Sequence, residues 1–155
     1  MIVIENKELL NSLWNKIYVD FSFKPTIDQN VVPFVLPIEH RVFKLTSQWS
    51  ESQEKIINET LKGIGNSNIY ALDWNHDCFE YNPNENIDFG FQFYDRNRDC
   101  NVYFPTYYPD GDYHFFISKD WSYGILGHPW REEIYCWGKE LINKLEVLKD
   151  NLDMK

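Results

Sequence analysis

Asp112, His114 and His128 lie close together in one aromatic stretch, and Glu132 follows His128 by four positions. A carboxylate beside two imidazoles supplies a general base and the group that orients it, or the ligands of a metal ion. Whether these side chains meet depends on how the stretch from Asp110 to Trp130 folds. Tyr113, Phe115 and Ile117 alternate there with His114, Phe116 and Ser118, and Tyr123 and Ile125 alternate with Gly124, Leu126 and His128. That is the period of two hairpin strands. A three-residue loop, Lys119 to Trp121, would set Ser118 against Ser122 and Asp112 against His128, with His114 diagonal to both on one face. A loop of two or four residues slides the pairing by one and sends His128 to the opposite face.

Other chemistry finds less support in the residues. "GILGHP" lacks the G-x-S-x-G of a nucleophile elbow, and no H-E-x-x-H is present. Asp95, Asn97 and Asp99 match the first ligand positions of a calcium loop. Cys100 stands where its glycine belongs, and Thr106 where its bidentate Glu belongs, so a turn between strands is expected. His76, Cys78, Cys100, His128 and Cys136 have no zinc-finger spacing. No metal and no cofactor are therefore expected, and no catalytic residue is assigned. Were the protein an enzyme, its site would be Asp112, His114, His128 and Glu132. The structural reading of the stretch is a central hairpin and corner. Pro129 holds His128 extended, and Trp130 packs on the C-terminal helix or a neighbouring strand.

Three segments have helical period. Leu9, Leu10, Leu13, Trp14 and Ile17 form one stripe with Asn6 as N-cap. Ser50 and Gln53 have capping-box spacing ahead of Ile56, Ile57 and Leu61, and that helix stops at Gly63 to Gly65. Leu141, Ile142, Leu145 and Leu148 make a C-terminal stripe. Pro25, Pro33 and Pro37 make residues 24 to 39 an extended surface segment leading to a short strand near Val42 to Leu45. Twenty of the 27 aromatic residues fall between Tyr70 and Trp137, in short runs broken by "NPNEN", "YPDG" and "LGHP". Antiparallel strands with tight turns follow from that spacing. The expected fold is a single α+β domain over residues 1–155, an antiparallel sheet with helices packed on one face.

Composition narrows the partners. The chain has 155 residues, 43% hydrophobic and 25% charged, with a net charge of −9. Asp73, Asp77, Glu80, Glu85, Asp88, Asp95, Asp99, Asp110 and Asp112 face only Arg96 and Arg98 in the same window. Such a surface repels phosphate backbones and anionic membranes, so neither nucleic acid nor membrane is an expected partner, whereas a basic protein fits. An acidic residue by position 5 without a basic n-region, and three widely spaced cysteines, predict a cytoplasmic protein with reduced thiols.

From Tyr108 to Ile142 the Pro-Asp-Gly-Asp-Tyr turn, the aromatic strand, Gly127-His128-Pro129-Trp130 and the acidic strand running into a Gly-started helix resemble domain-of-unknown-function family 2716. Arg131 stands where an acid would follow the Trp, and the likeness covers about the last third of the chain. It implies an intracellular bacterial protein and carries over no activity. The same ending is similar to that of some immunity proteins of bacterial toxin systems. The favoured expectation is a non-enzymatic module, such as an immunity protein that covers a basic toxin using Asp110, Asp112 and Trp130. The alternative is a small-ligand-binding protein or enzyme using the Asp/His cluster on the hairpin. Monomer and homodimer are both compatible with the sequence.

Overall fold

The computed structural model describes residues 1–85, 87 and 92–155. Its elements run β1 (Ile2–Val3), α1 (Lys7–Asp20), β2 (His40–Lys44), α2 (Glu51–Lys62), β3 (Ile69–Asp73), β4 (Phe79–Tyr81), β5 (Gln92–Asp95), β6 (Cys100–Tyr103), β7 (His114–Ser118), β8 (Gly124–His128), β9 (Glu133–Trp137) and α3 (Lys139–Leu148). Seven strands form one sheet in the order β1-β4-β3-β7-β8-β9-β2, and β5 and β6 make a separate hairpin. Every pairing is antiparallel. Its central strands are buried on both faces, so they read as continuous apolar runs more than as alternation.

The helices begin where their capping residues stand. The Asn6 side chain accepts from the Leu9 amide at 3.0 Å, and the Ser50 amide donates to Gln53 Oε1 at 2.9 Å. Gly138 opens α3 with φ of +92°, and a Cβ there would lie 2.5 Å from Tyr123 Cβ. Only glycine fits that corner.

The antiparallel α+β sheet fold is as read from the sequence. The helices, however, are shared between its two faces. Ile57 and Leu61 of α2 and Leu141 and Leu145 of α3 pack with Ile69, Ala71, Phe116, Ile125 and Cys136. On the other face, Leu13 and Ile17 of α1 join Tyr70, Leu72, Phe115, Leu126 and Trp137. The extended segment after α1 completes that second core. It buries Phe23, Phe34 and Leu36 and leaves Ile27, Val32 and Val35 exposed. Two cores arise because odd and even residues of β3 and β7 are both apolar, and each face needs a cover.

The β7–β8 pairing sets Phe116 opposite Ile125 and His114 opposite Gly127. The loop is therefore four residues, 119–122, with Ser118 N donating to Tyr123 O at 3.0 Å. Trp121 N donates to Ser118 O, and Trp121 takes φ of +63°. Asp120 Oδ1 accepts from Ser122 N and Ser122 Oγ. A turn ending in a left-handed residue, tied by an aspartate, fixes this register. Trp121 is held further by a ring contact with Phe21, and its carbonyl accepts from Trp137 Nε1.

Candidate functional site

The four-residue loop separates the residues that the shorter loop would have joined. His114 faces the α2/α3 side with Phe116, and His128 faces the α1 side with Leu126. His128 is fully buried between Phe34, Tyr113 and Trp130, with Glu133 opposite it on β9. Burial first, and the nearby Arg131 charge second, bring its pKa down to about 4. Glu132 lies at an exposed turn, with Lys44 3.7 Å away. Trp130 packs edge-on against Tyr113 on the face away from α3, so the C-terminal helix does not receive it. The grouping of Asp112, His114, His128 and Glu132 does not form. Asp112 and His114 do come together, with two residues from a different strand end.

β3 pairs with β7 so that Asp73 lies directly opposite His114. His114 Nδ1 donates to Thr106 O at 2.8 Å, which turns Nε2 toward Asp73 Oδ2 at 3.4 Å. The chain leaving β3 turns back at once. Asp73 Oδ1 accepts from the Asn75 amide at 3.2 Å and contacts His76 Nδ1 at 2.9 Å. Asp112 Oδ2 also accepts from the Asn75 amide, at 3.1 Å, and lies 3.7 Å from His76 Nδ1. Its other oxygen accepts from the Tyr113 amide. Two carboxylates that are only 6% and 3% exposed therefore sit together at the ends of two central strands, and the His76 side chain, 62% exposed, lies against both.

The electrostatics of the group are divided. Burial would raise the pKa of Asp73, but His114 and then His76 outweigh it and hold the carboxyl at about 2. Asp112 is pushed up, by burial and then by the Asp73 charge, against the two amides that favour its ionised form. His114 is raised, because hydrogen bonding and attraction to Asp73 overcome a burial that would lower it. The two adjacent carboxyls are thus pushed in opposite directions, Asp73 toward its ionised form by the imidazoles and Asp112 away from it by burial and by its neighbour.

One ligand atom each from Asp73, His76 and Asp112 lies within 4.8 Å of the others. Bonds of ~2.1 Å to one tetrahedral ion put ligand atoms ~3.4 Å apart, and the two His76 contacts, at 2.9 and 3.7 Å, bracket that spacing. One imidazole and two carboxylates suit zinc, manganese or ferrous iron better than calcium. His114 would then stand behind Asp73 as the outer partner that fixes a metal-bound carboxylate. The sequence led to an expectation of no metal ligands, whereas Asp73, His76 and Asp112 form a group able to hold an ion, and it uses none of the thiols. Cys78 Sγ contacts Asp73 O at 3.7 Å, and burial lifts its pKa to about 11. Cys136 is fully buried in the α2/α3 core.

Asp73 was not among the candidate ligands read from the sequence, and His76 was weighed only with the cysteines and His128. The local signal was Asp73 three residues before His76 at the end of an apolar run. The calcium-like loop is a turn. Asp95 accepts from the Asn97 and Arg98 amides and is bonded by Arg98 Nε at 2.7 Å. The acidic window is largely engaged as well. Arg98 also bonds Asp77, Lys119 bonds Glu80, and the N-terminal amine bonds Glu85. Asp88 lies outside the described residues. Asp110 remains exposed.

The family model described as "Protein of unknown function (DUF2716)" matches residues 5–142. A relative from Bacillus subtilis (strain 168), described as "Uncharacterized protein YxiI", is 27% identical over 150 residues, covering 86% of this chain and 85% of its own. No solved structure matches. No helix among the described residues is long and apolar enough to cross a membrane.

Proposed function

The chain belongs to the DUF2716 family, and we propose that it is a ligand-binding protein whose ligand is a divalent transition-metal cation held by Asp73, His76 and Asp112. The observation that carries this reading is the approach of those three ligand atoms to within 4.8 Å of one another, two of them on buried carboxylates. An ion there neutralises both carboxylates at once. Three protein ligands leave coordination positions open on the side of exposed His76, where a water or a small anionic ligand can bind. Among the two classes expected from the sequence, this favours the small-ligand alternative. The protein-covering reading that the sequence favoured has lost part of its surface, since Asp112 is buried on backbone amides and cannot steer a partner.

Calorimetric titration of metal-free protein with zinc or manganese tests the proposal. One ion should bind per chain, and His76→Ala should weaken binding by at least about tenfold. His76 is exposed, so its removal leaves the fold intact. Uptake that is absent, or equal in both proteins, would overturn the reading.

A further inference from the structure

A second site lies apart from the metal ligands, between the start of α2 and the loop that leads into β7. Gln48, Trp49, Glu51, Glu54, Thr106, Tyr108 and Asp110 line a cavity of about 190 Å³. Every charged side chain in its wall is acidic. Trp49 and Tyr108 stand in the same wall with ring centroids 5.9 Å apart at 64°, edge-on to one another.

The deepest of the acids is Glu54. It is 4% exposed and lies within the first turn of α2. Its two oxygens accept from the Tyr107 and Tyr108 amides at 2.8 and 2.9 Å, one bond to each oxygen. A carboxylate oxygen has room for a second donor, and no ion pair to Glu54 is found among the described residues. The two amides and the charge of His114 favour its ionised form without forming a direct ion pair. Burial, with Asp110 adding to it, pushes its pKa above the ordinary range, against the two amides and His114. The cavity therefore offers a cation a buried carboxyl in Glu54, an exposed one in Asp110, and two aromatic side chains in the same wall.

We propose that this cavity binds one organic cation, an alkylammonium or guanidinium head with its methylene stem lying along Trp49 and Tyr108. The size excludes anything much larger than a lysine or arginine side chain. A bare metal ion would leave the aromatic walls unused, whereas a flexible aliphatic stem covers them. The same chemistry is offered by a free diamine or by a basic side chain on another protein. Asp110, expected from the sequence to meet a basic partner, occupies the entrance.

The test uses intrinsic tryptophan fluorescence and calorimetry with four probes: agmatine, a capped Gly-Lys-Gly peptide, and the uncharged matches n-pentanol and a capped Gly-Nle-Gly peptide. Saturable binding of at least one cationic probe is expected at millimolar concentration, with no response to its uncharged match. Glu54→Gln and Asp110→Asn should each weaken it by fivefold or more. Gln keeps the shape and one acceptor; should Glu54→Gln fail to fold, Asp110→Asn, at an exposed position, decides the question alone. Binding of agmatine alone identifies a free small cation, and binding of the peptide alone identifies a basic side chain of a partner. Equal responses to charged and uncharged probes, no saturable binding, or unchanged binding in Asp110→Asn would overturn the proposal. His76→Ala should leave it untouched, which separates this site from the metal ligands.

Discussion

His128 is the residue on which acid stability turns. Its Nδ1 lies 3.4 Å from the Arg131 amide that donates to it, so the neutral ring carries its proton on Nε2, and that N–H finds no partner. The rings of Phe34, Tyr113 and Trp130 surround it. The folded pKa is about 4, below the 6.5 of a free imidazole. Between these values the unfolded chain binds a proton that the folded chain refuses. The stability from this group is complete above pH 6.5 and is lost as the pH falls toward 4, by on the order of 3 kcal/mol. Of the charged groups around it, Glu133 opposes the depression while Arg131 and Lys44 support it. Thermal midpoints recorded from pH 7 to pH 4.5 should fall more steeply for the native chain than for His128→Phe. Parallel curves would show that His128 is not the group responsible. That His128 precedes Pro129 in an extended strand was legible from sequence. Its burial without a partner was not, because Phe34 reaches it from a segment almost a hundred residues earlier.

At the scale of elements, the corner between β9 and α3 is a sensitive point. Gly138 has a left-handed backbone, and its missing Cβ leaves room for Tyr123 and for the Ser122 carbonyl, 3.0 Å from where that Cβ would stand. Gly138→Ala combines backbone strain with a steric clash and should destabilise the fold by about 2–4 kcal/mol. Urea unfolding would read this as a lower midpoint with an unchanged slope, and a midpoint equal to the native one would contradict it. Local signals of this kind carried much of the fold. The three helices, their Asn6 and Ser50 starts, and the strand run through β7 to β9 followed from apolar period and capping residues. The hairpin register did not follow, because Asp120 and Trp121 admit loops of three or four residues and the choice rests on contacts with Phe21 and Trp137. The division of helices between two faces was hidden for the same reason. The stripe of α1 looks like those of α2 and α3, and only the pairing of β3 with β7 decides which face is left for it. That pairing also creates the candidate site. Asp73 and Asp112 are 39 positions apart in sequence, and nothing local announces their meeting.

For the molecule as a whole, the metal ligands tie together parts that fold from distant stretches. Asp73 and His76 end the β3 region, Asp112 opens β7, and His114 reaches the Thr106 carbonyl in the long loop. That loop is fastened in turn to α2 by Glu54. A cation bound only by the folded chain must stabilise all of these together, because the unfolded chain does not bring the three ligands into one place. At a free concentration 100 times its dissociation constant, such an ion adds about 2.7 kcal/mol. For a chain of this size that raises the thermal midpoint by roughly 5–10 °C. The rise should grow with the logarithm of zinc or manganese concentration and should vanish on addition of a chelator. At the same metal concentration His76→Ala should cut the rise by about half or more, while leaving the metal-free midpoint close to that of the native protein, since the exposed ring contributes little packing. An undiminished rise in His76→Ala would place the ion elsewhere on an acidic chain. A native protein indifferent to both metals would leave Asp73 and Asp112 with the task of holding the β3 turn against β7 through the Asn75 amide that both accept from.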